Sequence, residues 1–440
     1  MNNKKWMAIL LGGIMAASLA APCSVSAAEK TTLTFWHAMG GTNGEVLQQI
    51  VDDFNASQDE IEVKAEYQGT YDDTITKLKA AMQSDSGLPD VCQMYDVGTK
   101  FMYDSGAVIP VEDKFESTGY DKSSVMDVIS SYYTVEGKQY AMPFNVSTPM
   151  LYYNKDVFKA AGLDPETPPT TYDEVLEDAK KIVESGAAPV GYSQAIYGWF
   201  FEQQLAGLGV TYGNNDNGRT EAVTAVDFDS NGGGLKVFDM WKKLYDSGCF
   251  EDYGTTTADT QTAFFSGQVG MIIESTAILK NAVDSSPFEV GTGYLPRIEQ
   301  NDEGGVIIGG GSLWLTDTGN EANEDAAWKF IEYITTPDVQ AKWSMGTGYF
   351  AINEKAYETE DMKAYLEENP NFMTAINQLK DSPVNCNTAG VLSGVQTEAR
   401  LTFNEIMPQV YDGKLTTQDA VDQLAASVNK AIENYNESIK

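Results

Sequence analysis

Residues 141–156, AMPFNVSTPMLYYNKD, decide how the rest of the chain must be arranged. The run is apolar and aromatic enough for a buried strand, but Pro143 and Pro149 interrupt it and bracket a short polar window, Asn145 to Thr148. Proline cannot donate to a sheet ladder, so it confines a strand to an edge or to a crossing between sheets. Chain enough for an independent α/β unit lies on each side. The reading is therefore a strand that leaves one lobe and enters a second, its polar window facing the space between them. Ser147 then sits where both halves can grip a ligand, because pockets occur preferentially at domain interfaces. An ordinary sheet strand with a surface serine is the competing reading.

Upstream of this stretch, strand and helix patterns alternate. Leu33 to Trp36 reads as a strand, and Val46, Leu47, Ile50, Val51 and Phe54 recur at helical spacing. Ile61, Val63, Ala65 and Tyr67 alternate as in a strand, Ile75, Leu78 and Met82 mark a helix, and Val91 to Tyr95 reads as a buried strand. Regular succession of this kind indicates an α/β lobe with a largely parallel sheet, whose ligands sit at the carboxyl ends of strands. The loops around Trp36, Tyr71 and Asp96 are the ones so placed.

Downstream, Thr171 and Glu174 form a capping-box pair that opens a helix ending at Ser185-Gly186. Tyr197-Gly198-Trp199-Phe200 reads as a loop with an aromatic cluster, either a stacking platform or core. Gly270 to Glu274 is a short strand, and Ser275-Thr276 reads as the N-cap of a helix whose free N–H groups suit an anion. IIGGGSLWL, from Ile307, is a strand whose three glycines mark close approach of a ligand or another backbone. Thr336-Pro337 reads as a return crossing. An amphipathic helix through Val421, Leu424, Val428, Ile432 and Tyr435 closes the chain.

Composition narrows the function. The chain has 440 residues, 42% hydrophobic, more than one core usually serves, so two large domains are expected. Lys4 and Lys5, the apolar run to Ala21 and the small residues Val25-Ser26-Ala27 read as a secretory signal over residues 1–27, with a lipid anchor on Cys23 as the competing idea. Its removal takes the net charge from −35 to about −35 − 2 = −37. Nucleic acid and anionic membrane bind through basic patches and are poor partners for such a field. Cys92, Cys249 and Cys386 would remain, allowing at most one disulfide. His37 is the single histidine, which rules out a histidine metal cluster, and neither a metal nor another cofactor is expected. The arginines are Arg219, Arg297 and Arg400. The first two read as exposed, whereas Arg400 lies in an apolar-periodic stretch facing either a groove or a partner acid.

FWHAMGG, YQGTYDD, MYDVGTK, PFNVSTPMLYYNKDVFKAAGLDPETPP, GYSQAIYGW, IIGGGSLW and GTGYFAIN together resemble the extracellular solute-binding proteins of ABC importers, and within them the sn-glycerol-3-phosphate-binding branch. The resemblance runs from about Thr32 to Asn434. It implies a type II periplasmic binding protein fold of α/β class, two lobes each with a mixed sheet flanked by helices, and a ligand cleft between them. The implied lobes are residues 28–145 with 276–336, and 146–275 with 337–440. By motif, the ligand contacts fall on Tyr71, Asp96, Ser147, Trp199, Ser275, Gly310, Tyr349 and Arg400. Asp96 would accept from glycerol hydroxyls, Trp199 would cover an apolar face, and Arg400, Ser275, the tyrosine hydroxyls and the Gly310 N–H would share the polar end.

Ile196 stands where that branch carries a second tryptophan, and Glu274 where its pattern is small. The implied function is a non-catalytic, periplasmic binding component that takes sn-glycerol-3-phosphate or a glycerophosphodiester and serves membrane permease subunits as a monomer. An oligosaccharide-binding protein and a secreted carbohydrate-active enzyme are the alternatives.

Overall fold

A computed structural model describes residues 30–84 and 87–439; the expected signal segment and Cys23 lie outside the described residues. Among the described residues twelve strands, β1 (Thr31–His37), β2 (Ile61–Tyr67), β3 (Val91–Tyr95), β4 (Val108–Ile109), β5 (Thr134–Val135), β6 (Lys138–Gln139), β7 (Met142–Ser147), β8 (Pro149–Asn154), β9 (Val190–Ser193), β10 (Val269–Ser275), β11 (Val290–Gly293) and β12 (Gly309–Thr316), make up two main sheets and one small hairpin, β5–β6. The larger sheet runs β2-β1-β3-β12-β4, with β7 also paired to β12; the smaller runs β11-β8-β10-β9. In the larger sheet β1 is parallel to β2 and β3, while β12 is antiparallel to β3, β4 and β7. Helices pack on both, giving the mixed α/β two-lobed fold expected.

The proline-bracketed stretch does cross. β7 belongs to the larger sheet and β8 to the smaller, and Thr148 is the residue between them. β10 ends directly beside this crossing without itself leaving the smaller sheet, because the next strand, β11, pairs there too; the chain returns to the larger sheet only between β11 and β12. The N–H of Thr276 donates to the Thr148 carbonyl at 2.9 Å, and the Thr148 N–H donates to Thr276 Oγ1 at 3.2 Å. β7, from the larger sheet, and β10, from the smaller, therefore each deliver a serine, Ser147 and Ser275, to the same edge.

The segment boundaries differ from those expected in two places. β11 falls within 276–336 yet pairs antiparallel with β8, in the smaller sheet. The stretch after Thr336 does not cross back at once: the helix Pro337–Thr347 packs on the helix Gly41–Ser57, Lys342 pairs with Asp53, and Trp343 stacks on Phe144 of β7. Pro337 occupies the first turn of that helix, where its missing N–H costs nothing. The chain has rejoined the smaller sheet by the helix Asn371–Asp381, where Gln378 donates to the Pro149 carbonyl at 2.7 Å.

Thr171 and Glu174 form the expected reciprocal cap, each bond 3.2 Å, and Gly186 ends that helix in the left-handed region at φ 73°. The supposed aromatic loop is instead the start of a helix, Gly198–Gly207, buried on every side. Cys92, Cys249 and Cys386 are all free thiols.

Candidate functional site

Tyr71, Asp96, Ser147, Trp199, Ser275, Gly310, Tyr349 and Arg400 line a single cavity of about 250 Å³, together with Tyr95, Tyr197, Thr257, Gln261 and Glu274. They arrive from widely separated places in the chain. Tyr71 opens a helix capped by Thr70, Asp96 follows β3, Ser147 ends β7, and Ser275 ends β10. The glycines of β12 bring the remainder close. A side chain on Gly310, whose φ is +91°, would collide with the Asn145 carbonyl oxygen, so β7 and β12 touch here only because that position is bare. One residue earlier, a side chain on Gly309 would lie 2.7 Å from Trp199 Cζ2, so the indole lies against the naked strand.

Behind this wall the polar groups are held in place. Gln93 donates to Asn145 Oδ1 and Asn145 Nδ2 donates to the Tyr71 hydroxyl, both at 2.7 Å. Tyr71 stacks on Tyr95 at 5.0 Å between centroids, and Tyr349 stacks on Trp343 at 5.6 Å. Burial raises the pKa of Tyr71 well above that of a free phenol, so it presents a neutral hydroxyl to the cavity.

Arg400 does not stand ready for an anion. Its Nη2 donates to Asp96 at 2.8 Å and to Glu202 at 2.7 Å, while its Nε donates to the second oxygen of Glu202 at 2.8 Å. All three side chains are buried. Burial works against the guanidinium charge, but the two carboxylates outweigh it and hold the group firmly protonated. Glu202 was not read from the sequence. It lies on the helix that the pattern concealed, and Gln396 donates to it as well at 3.0 Å.

Two more expectations change. The first N–H groups at the turn after β10 are already engaged: that of Ser275 goes to Glu274 Oε1 at 2.7 Å, that of Thr276 to the Thr148 carbonyl and that of Ala277 to Ser275 Oγ at 3.2 Å. The chain continues as a short 3₁₀ turn, Thr276–Ile278, before the helix Leu279–Ser285. Arg219 is not an exposed loop residue either. Its guanidinium donates to the carbonyls of Tyr132, Ala389 and Gly390, and desolvation lowers its pKa to about 10. Glu274 does face the cavity, accepting from Gln261 at 2.9 Å, and burial raises its carboxyl pKa. Ile196 is buried in the core.

A cleft where two α/β sheets meet at a strand crossing, lined from both sides by aromatic and hydroxyl groups, defines a binding protein that encloses a small solute. The chain belongs to the bacterial extracellular solute-binding proteins, whose family model matches residues 49–374. It is 31% identical over 417 residues to the sn-glycerol-3-phosphate-binding periplasmic protein UgpB of Escherichia coli (strain K12), covering 93% of this chain and 94% of that one. Among solved structures, UgpB from Mycobacterium tuberculosis in complex with glycerophosphocholine superposes with a TM-score of 0.79 at 20% identity, covering 93% of this chain and all of that one. The cyclic alpha-maltosyl-1,6-maltose binding protein from Arthrobacter globiformis gives 0.76 at 26% identity, with 92% and 100% covered.

The chain is thus a substrate-binding component of an ABC importer, a class that works outside the cytoplasm with membrane permease subunits. Its relatives are solute-binding proteins and not enzymes. Among the described residues no helix is long and apolar enough to cross a membrane, and no cluster of metal-ligating side chains occurs.

Proposed function

We propose that the cleft binds a glycerophosphodiester, with Tyr71, Asp96, Ser147, Trp199, Ser275, Gly310, Tyr349 and Arg400 as its contacts. The observation that carries this reading is the charge around the cavity: one guanidinium, Arg400, against Asp96, Glu202 and Glu274. A phosphate monoester approaches a dianion near pH 7, since its second pKa is about 6. A diester has only one negative charge and lacks that second ionisation. In a buried site with a surplus of carboxylates the diester meets less repulsion, and neutral donors such as Ser147, Ser275, the Trp199 indole N–H and the Gly310 N–H suit it.

Similarity to the sn-glycerol-3-phosphate-binding relatives supports the glycerol-phosphate half of the ligand. Asp96 accepts from glycerol hydroxyls in this arrangement, and Trp199 covers the carbon face.

One observation favours a second reading, an oligosaccharide. Arg400 braces two acids, an arrangement that a neutral sugar tolerates as well as a phosphate does. The cavity, about 250 Å³, falls below the roughly 300–1,000 Å³ common for drug-sized ligands and favours the smaller solute. A melting-shift panel of a glycerophosphodiester, glycerol-3-phosphate and maltose separates the readings. At a hundredfold excess over the dissociation constant the bound solute should stabilise the protein by about 2.7 kcal/mol. A shift with maltose alone would replace the diester reading by the sugar one.

A further inference from the structure

We infer that Gln93 and Asn145, two buried amides that do not line the cavity, fix the direction of the Tyr71 hydroxyl, so that this wall can only donate and receives a phosphoryl oxygen of the solute. This inference rests on the diester reading above and deepens it. The three side chains form one file. The Ala38 N–H donates to Gln93 Oε1 at 2.9 Å, then Gln93 Nε2 to Asn145 Oδ1 and Asn145 Nδ2 to the Tyr71 hydroxyl, both at 2.7 Å. Gln93 and Asn145 are fully buried. A main-chain N–H can only donate, so the Gln93 atom that faces Ala38 has to be its oxygen. Its nitrogen then faces Asn145, which must answer with oxygen and turn its own nitrogen on Tyr71. A direction set just after β1 is carried in this way through β3 and β7 to the cavity.

The stack on Tyr95 holds the Tyr71 ring, and Asn145 occupies the lone pair of its oxygen. The phenolic proton is left over, because the hydroxyl donates to no group among the described residues. A phosphoryl oxygen meets such a donor with no proton of its own to place, whereas a sugar hydroxyl accepting there has to find a second acceptor. The third glycine of β12 keeps the file open: a side chain on Gly311 would lie 2.9 Å from Asn145 Oδ1 and 3.2 Å from the Tyr71 oxygen. Arg400, engaged by Asp96 and Glu202, is thereby joined by a neutral donor of fixed direction.

Gln93→Glu reverses the file without touching the cavity. A carboxylate has no proton to give, so it accepts from Ala38 and from Asn145; the asparagine must then turn its oxygen on Tyr71, whose proton swings away from the solute, and every buried group keeps a partner. Calorimetric affinity for glycerophosphoglycerol, measured on wild type, Gln93→Glu, Tyr71→Phe and the double variant, tests this. Tyr71→Phe should weaken binding about tenfold or more, as loss of a hydrogen bond to a charged group does. The charge added by Gln93→Glu acts on the solute in both backgrounds, so its excess cost with Tyr71 present, about fivefold or more, reports the hydroxyl alone. An equal cost in both backgrounds, or a Tyr71→Phe protein that binds as the wild type does, would overturn the role of Gln93 and Asn145 and leave the diester reading standing. Absence of binding by the wild type would overturn the diester reading and this inference with it. Where Gln93→Glu does not fold, Asn145→Asp, which takes the Tyr71 proton directly, replaces it in the same cycle, and the Tyr71→Phe comparison decides without either.

Discussion

Arg400 and Asp96, 304 positions apart in the chain, meet through a 2.8 Å hydrogen bond inside the cleft. Asp96 follows β3 of the larger sheet, whereas Arg400 rides on the helix Gln396–Tyr411, packed against the helix that carries Glu202. The bond therefore joins the two sides of the cavity, and Glu202 anchors the arginine from behind. Such a buried network contributes geometry more than stability, because desolvation offsets most of the Coulomb gain. Removing one member is another matter.

Arg400→Ala leaves two buried carboxylates unpaired and should lower stability by about 3–5 kcal/mol. Arg400→Lys cannot reproduce the Nε and Nη2 fork that serves Glu202 and Asp96 together, and should lose both stability and affinity, though less. Urea unfolding monitored by circular dichroism checks the first effect and calorimetry the second. A lysine variant of wild-type stability would show that the fork geometry does not matter.

Asp96→Ala removes the acceptor proposed for the solute and one partner of Arg400, so affinity should fall by about 1.5–3 kcal/mol, the range for hydrogen bonds to charged groups. Unchanged calorimetric affinity would take Asp96 out of the binding site.

The glycines of β12 predict two different failures. Gly310→Ala places a methyl group against the Asn145 backbone at a positive φ and should destabilise the fold by about 2–5 kcal/mol. Gly309→Ala meets only the edge of the Trp199 ring, which can shift, so it should impair binding more than folding. Melting temperature and affinity measured on both variants distinguish the two.

Much of this architecture was legible in sequence. The prolines at 143 and 149 announced the crossing because a proline's missing donor is a local, unambiguous constraint, and three glycines in succession announced close approach for the same reason. Glu202 was illegible: a glutamate in mid-helix is the commonest of surface residues, and only the burial of Arg400 beside it makes it otherwise. The helix Gly198–Gly207 was hidden because burial on all sides erases the 3.6-residue period. β11 and the helix Pro337–Thr347 depend on pairing with distant partners, and nothing in their own residues says which sheet or helix they join.

His37 should make stability pH-dependent. Burial lowers its pKa from 6.5 to about 4, so between those values the unfolded chain binds a proton that the folded one refuses. Its contribution is fully present above pH 6.5 and is lost as the pH falls to about 4, amounting to up to about 3 kcal/mol. Urea unfolding of wild type and His37→Gln across this range checks it. The difference in stability between the two should shrink or change sign toward pH 4, and a constant difference would exclude the effect.

The cleft should prefer a phosphodiester monoanion to a phosphate dianion, and on that preference the assignment of its solute stands or falls. Calorimetric affinities of the wild-type protein for glycerophosphoglycerol and glycerol-3-phosphate, compared at about pH 7.5 in one buffer where the monoester is mostly dianionic, decide the matter. One guanidinium against the three carboxylates about the cavity, Asp96, Glu202 and Glu274, predicts that the diester binds at least tenfold more tightly. Equal or tighter binding of glycerol-3-phosphate would contradict it.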